Sequence, residues 1–99
     1  MSYDIGVGAQ MNRNMTSNVS KMWDRAMPEL NLRDMGGKTG AECLPHLEAG
    51  MLDMAQNRSR YEAMQPENGW GSYGGALSVL VEMACACRAE PNAIVYVSC

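Results

Sequence analysis

The stretch that decides the fold is Asn-Gly-Trp-Gly-Ser-Tyr-Gly-Gly at residues 68–75, together with the apolar run at residues 76–87 that follows it. Only Ser78 and Glu82 interrupt this run, and they lie four residues apart, on one narrow stripe of a helix. A helix that is apolar on almost all sides packs at the centre of a domain. The segment therefore predicts a central helix that begins at Ser72, a suitable N-cap, and stops at Glu90-Pro91.

The two ends of the chain have the patterns of strands. Tyr3, Ile5 and Val7 alternate with small or polar residues, which predicts a strand with these three side chains directed inward. The β-branched and aromatic residues 93–97 predict a second strand. Residues 10–17 are polar and rich in Asn, and we interpret them as a loop; residues 30–35 read as a connecting loop that closes at the next two glycines.

Helical spacing of apolar residues predicts three further helices. The first runs over about residues 18–27 with Ser17 as its N-cap, and Pro28 ends it. The second follows the capping box formed by Thr39 and Glu42. Pro45 either kinks this helix or starts a new one after a single capped turn. A brief helix at about residues 59–65, with a second capping box at Ser59, completes the set.

These elements predict an α+β fold: one domain at residues 1–99, with the terminal strands paired and covered by about three helices besides the brief one, in the order β-α-α-α-β. A sheet of only two strands is marginally stable. A strand edge offered to another subunit would relieve this, so we also predict a homo-oligomer.

Composition excludes several classes of function. With 46% apolar and 19% charged residues the chain is globular. Its net charge of −3 and its lack of a basic run argue against binding to duplex nucleic acid. The start lacks the features of a signal peptide, and the apolar run is too short to span a bilayer, so we expect no membrane partner and a cytoplasmic location. The four cysteines are then expected to be free thiols.

The glycine-rich segment is the candidate ligand site. Its glycines leave backbone amides uncovered at a helix start, which suits an anion, and its two aromatic rings are suited to stacking on a planar base. The polar residues before the first helix are candidates to contribute from the same or another subunit. The predicted ligand-binding residues are Trp70, Gly71, Ser72, Tyr73, Gly74, Asn18 and Arg13. The alternative is that the glycines allow close helix packing and Trp70 fills the core. The weakness of the ligand hypothesis is that no Lys or Arg follows Gly75 before Arg88.

Metal binding and catalysis have weaker support. Cys43, His46, Cys85 and Cys87 are soft ligands, but their spacing does not fit a zinc site, and buried structural cysteines explain them better. His46 is the only histidine and lies on the polar face of its helix, and no nucleophile has a recognisable catalytic context. We therefore predict no cofactor, no metal and no enzymatic activity.

Several motifs together resemble a family of small uncharacterised proteins of tailed phages and prophages. They are Asn-Val-Ser-Lys-Met at residues 18–22, Gly-Lys-Thr-Gly at 37–40, Asn-Gly-Trp-Gly-Ser-Tyr at 68–73, and the closing Val-Tyr-Val-Ser at 95–98 after Pro91. The resemblance implies an accessory protein made in the cytoplasm of an infected bacterium. Such proteins often disarm host defence, either by sequestering a nucleotide immune signal or by blocking a defence protein. We predict sequestration of a nucleotide-derived immune signal without catalysis. The alternatives are an anti-CRISPR-like protein inhibitor and a virion or assembly component.

Overall fold

The computed structural model describes residues 2–69 and 71–99 and contains a three-stranded antiparallel sheet. The strands are β1 (Ser2–Val7), β2 (Met11–Thr16) and β3 (Val95–Ser98), in the spatial order β2-β1-β3. The predicted α+β class and the pairing of the terminal strands are confirmed, with β1 and β3 antiparallel. Helices cover one face of the sheet, and the inward side chains Tyr3, Ile5 and Val7 are all buried, as predicted.

Strand β2 corrects the prediction of a loop at residues 10–17. Asn is a poor strand former, so the local composition concealed the strand. Its two ends are anchored by Met11 and Met15, which are buried against the helices, and the Asn14 amide donates to Ser2 and Asp4 on the open face. The additional strand also removes the reason for expecting a homo-oligomer, because three strands packed against helices are independently stable. The homo-oligomer stays a prediction without that support.

The helices follow the predicted order, with two additions before the second long helix. A short 3-10 helix (Ser17–Val19) precedes α1 (Ser20–Ala26), and α2 (Leu32–Met35) lies where a loop was predicted. Thr16, not Ser17, caps the 3-10 helix, because the Thr16 hydroxyl accepts from the amide of Asn18.

The long helix α3 (Gly40–Gln56) has the predicted capping box, in which Thr39 and Glu42 bond reciprocally. Pro45 lies inside this helix, which continues as one element on both sides of it. The short helix α4 (Arg58–Glu62) begins before Ser59, so the second predicted capping box is wrong.

The predicted central helix is α5 (Tyr73–Ala89), capped by Ser72 as expected. It packs along α3 and under β1 and β2. The buried side of α5 comprises Tyr73, Ala76, Val79, Leu80, Met83, Ala84, Ala86 and Cys87. Gly40 allows the close approach of α3, because a Cβ there would lie 2.8 Å from the carbonyl oxygen of Glu90 and 3.1 Å from the Cα of Cys87.

Candidate functional site

A cleft of about 190 Å³ lies between β2 and the start of α5. Apolar side chains of Met15, Val19, Ala76 and Val79 belong to its lining. The remaining lining residues are Arg13, Asn14, Thr16, Gly71, Ser72 and Gly75. The fold therefore brings Arg13, predicted from a separate polar stretch, to the glycine-rich segment that lacked a cation in the sequence. We call this site the β2–α5 cleft.

Arg13 extends across the cleft to α5. It lies between Met11 and Met15 in the alternation of β2, so it shares their helix-facing side. Its Nη1 lies 2.5 Å from Oε1 of Glu82, and the two side chains are 46% and 35% exposed. This pair explains why Glu82 interrupts the apolar run of α5. A surface pair of this kind stabilises the fold by only about 0–1 kcal/mol, so a ligand can displace it at small cost.

The start of α5 is less open than the sequence suggested. The amide of Tyr73 donates to Oε1 of Gln65 at 2.9 Å, and the amide of Gly75 donates to Oγ of Ser72 at 3.0 Å. The prediction of uncovered amides is therefore wrong for these two groups. Only the amide of Gly74 lacks a partner in the first turn, as far as residues 2–69 and 71–99 show. An anion would therefore meet one unbonded N–H group here, that of Gly74, and not several.

Tyr73 is a core residue, which corrects its predicted stacking role. Its side chain is 7% exposed, its hydroxyl donates to the carbonyl of Met54 at 2.7 Å, and the guanidinium of Arg58 lies 5.6 Å from its ring centroid. The other predicted aromatic contact, Trp70, lies outside the described residues. Asn18 and Gly74 are exposed and do not belong to the cleft lining.

Gly71 combines both roles that the sequence left open. Its φ of +107° is in the region that favours glycine, and a Cβ would lie 2.7 Å from Val19 Cγ1 and 3.0 Å from Thr16 Cγ2. It therefore allows close packing against the end of β2. It also lines the cleft, as Ser72 does, so these two predicted residues lie together with Arg13.

The outward side of the sheet at β3 is occupied at Val95. The N–H of Val95 donates to the carbonyl of Lys38 at 2.7 Å, and its carbonyl accepts from the N–H of Gly37 at 2.9 Å. The backbone N–H and carbonyl of Val95 are therefore directed away from β1. Val7 lies opposite Val95 in the register, so Val7 and Val95 do not bond to each other, and the N–H and carbonyl of Val7 are directed towards Met11 of β2.

The same alternation identifies the outward backbone groups of β2. If Val7 bonds to Met11, then Arg13 and Met15 also bond to β1, and Asn12, Asn14 and Thr16 direct their N–H and carbonyl groups to the outer edge. No described residue bonds to the outward groups of Asn12 and Asn14. Four consecutive residues of β2 line the cleft, namely Arg13, Asn14, Met15 and Thr16. Because successive side chains of a strand are directed to opposite faces, a cleft on one face of the sheet would contact only every second residue. The cleft therefore runs along the strand edge, a feature that the loop prediction concealed.

The cysteines are not suited to nucleophilic chemistry in the core. Burial raises the pKa of the Cys43 thiol to about 11, and burial also raises the pKa of Cys87. Cys85 and Cys99 are exposed. Within the described ranges, no group of three or more His, Cys, Asp or Glu side chains is arranged to hold a metal ion.

Comparison of the chain with protein-family models, curated proteins and solved structures finds no match. None of the helices formed by the described residues has the length and apolar character needed to cross a bilayer. The geometry of the β2–α5 cleft is therefore the basis for a functional proposal.

Proposed function

We propose that this chain is a small, non-catalytic binding protein that captures its target in the β2–α5 cleft. The observation that carries the proposal is the meeting of three features in one place: an apolar floor, the Arg13–Glu82 pair, and a strand edge with unbonded backbone groups. Convergence of an apolar surface with a few polar groups is typical of binding sites.

The first candidate target is a nucleotide-derived immune signal, as the resemblance to phage accessory proteins implies. The position of Arg13 beside Ser72 and Gly71 supports it, because a guanidinium is a good partner for a phosphate. Two features limit it. Glu82 already holds Arg13 and adds a negative charge, and sites for small ligands usually have volumes of about 300–1,000 Å³, larger than this cleft.

The second candidate target is a protein, which corresponds to an inhibitor of a host defence complex. The open edge of β2 favours it, because an edge with unbonded N–H and carbonyl groups is a template for another strand. Both candidates place the target in the same cleft and require no chemical step.

Blocking the cleft tests the shared proposal. Gly75 lines the cleft and is exposed, so Gly75→Leu places a side chain there, although its Cβ would lie 3.1 Å from Oγ of Ser72, which must shift slightly. Gly74→Leu is the matched control, since Gly74 has no atom within 4 Å of its Cβ position and lies outside the lining. Both substitutions replace a helical glycine, so their effects on helix propensity match.

The measurement is thermal unfolding with a panel of cyclic dinucleotides and cyclic ADP-ribose isomers, followed by pull-down of purified defence proteins. A ligand at about a hundred times its dissociation constant adds roughly 2.7 kcal/mol, or several degrees for a domain of this size. We expect a bound target to be lost by Gly75→Leu and retained by Gly74→Leu. Equal binding by both variants would show that the target does not use this cleft.

A further inference from the structure

We infer that the target is an extended, uncharged segment of a partner protein, which adds as a fourth strand along the outer edge of β2 and seats one aliphatic side chain in the β2–α5 cleft. This inference rests on the proposed function and names its target class. The chain recognises this segment by backbone pairing and by one apolar side chain. The target is therefore a protein and not a nucleotide.

The contrast between the two edges of the sheet is the first argument. At β3, the outward groups of Val95 are bonded to Gly37 and Lys38, and Gly36 packs beside Val97. At β2, the outward groups of Asn12 and Asn14 have no partner among the described residues. Unpaired edge groups are what an added strand requires, since main-chain hydrogen bonds supply much of the affinity in this mode of recognition.

The shape of the cleft is the second argument. An extended segment on β2 alternates its side chains, so every second one is directed to the helix side, where Val19, Ala76 and Val79 form the apolar floor. The volume of about 190 Å³ is close to that of cavities of roughly 150 Å³ that hold a single benzene ring. The cleft therefore encloses about one side chain of medium size, and most of a base, a ribose and phosphates would lie outside it.

Charge complementarity is the third argument. Arg13 is the charged residue of the cleft lining, and its pairing with Glu82 at 2.5 Å balances that charge. A carboxylate or an ammonium group here would be attracted to one member of the pair and repelled by the other, so a charge on the segment gains little. The complementary segment is therefore uncharged where it crosses the cleft.

The test separates the backbone edge of β2 from its side chains. Asn14→Pro removes the outward N–H at the centre of the edge without removing a bond to β1, a position at which edge strands tolerate proline. Asn14→Ala is the matched control, because it removes the side-chain bonds to Ser2 and Asp4 but keeps the N–H. Thermal unfolding establishes that both variants are folded before binding is measured.

The probe is a displayed library of random heptapeptides, selected on the wild-type protein alone. We expect enriched peptides that are uncharged, contain an aliphatic residue, bind Asn14→Ala as they bind wild type, and lose roughly tenfold in affinity for Asn14→Pro. Hydrogen exchange on the wild-type complex gives a second readout that needs no variant. The amide of Asn14 should become protected, while that of Arg13, already bonded to β1, should change little.

Four results would overturn the inference: no enriched peptide, enriched peptides that bind Asn14→Pro equally well, an Asn14 amide that exchanges freely in the complex, or concentration-dependent self-association that Asn14→Pro abolishes. The last would make a second copy of this chain the occupant. A nucleotide that binds wild type and is lost only in Gly75→Leu would overturn strand addition but leave the proposed function standing. If Gly75→Leu binds every target as well as the wild type does, both the strand addition and the proposed function are wrong.

Discussion

The indole Nε1 of Trp23 donates a hydrogen bond to the main-chain carbonyl of Ala76, with the two atoms 3.1 Å apart. This bond joins α1 to the first turns of α5, directly behind the β2–α5 cleft. Trp23 is fully buried, and Ala76 lines the cleft. The core and the candidate site are therefore one continuous structure.

Trp23→Phe is expected to lower the free energy of unfolding by about 2 kcal/mol. The hydrogen bond accounts for about 1 kcal/mol, and the space left by the smaller ring accounts for the rest. Urea unfolding measures the loss. Val81→Ala, at an exposed position of α5, is the control and should change stability by less than about 0.5 kcal/mol. Unchanged urea midpoints for Trp23→Phe would contradict the packing described for α1 and α5.

Gly40→Ala and Gly74→Ala should have opposite effects, although both replace a glycine in the first turn of a helix. A Cβ at Gly40 meets backbone atoms of Cys87 and Glu90, so α3 and α5 must separate, at a cost of about 1–3 kcal/mol. A Cβ at Gly74 meets nothing within 4 Å, so the variant should gain about 0.4–1 kcal/mol from reduced freedom of the unfolded chain. Thermal unfolding of the two variants measures both. Stabilisation by Gly40→Ala would show that the helices are not in close contact.

Glu42 should contribute a pH-dependent part of the stability. Hydrogen bonds from the N–H and hydroxyl of Thr39 to the carboxylate hold the pKa of Glu42 below its ordinary value of 4.5. The folded state therefore binds this proton less tightly than the unfolded state. The contribution is present above pH 4.5 and is lost as the pH falls through the lower folded pKa.

Glu42→Gln removes this titration and leaves the other acidic groups in place. The difference in stability between wild type and the variant should shrink as the pH is lowered from about 6 to about 3. Chemical unfolding at several pH values measures it. A difference that stays constant over this range would mean that the capping box is not formed in solution.

Two of the four thiols should react rapidly with an aromatic disulfide reagent at mildly alkaline pH. Cys85 and Cys99 are exposed, whereas Cys43 and Cys87 are buried, with pKa values raised by burial. The double variant Cys85→Ser, Cys99→Ser should lose the fast phase, and the remaining two thiols should react only when the protein unfolds. Fast labelling of this double variant would contradict the burial of the α3–α5 interface.

The elements that were predicted correctly have local signals. The apolar run after Ser72, the capping box at Thr39 and the alternation at Tyr3, Ile5 and Val7 each depend on residues close together in the chain, and the structure confirms all three. Strand β2 has no such signal, because only the two terminal Met side chains are buried and its centre is Asn-Arg-Asn. Its pairing with β1 is visible only once β1 is in place.

The candidate site was predictable in parts. Gly71, Ser72 and Arg13 line one cleft, although they come from separate stretches of the chain. Tyr73 was misjudged because its partner, the carbonyl of Met54, is 19 residues away along the chain. The bond between Gln65 and Tyr73 was missed for the same reason: the Gln65 side chain accepts from the Tyr73 amide, and the two residues are not neighbours in the chain.

The occupied outer side of β3 has a consequence for stoichiometry. The segment that holds Gly37 and Lys38 bonds to the outward groups of Val95, and Gly36 lies so close to Val97 that another strand has little space there. A partner strand that joins β2 covers the open edge that the described residues of this chain present there. Titration should therefore saturate at one partner per chain.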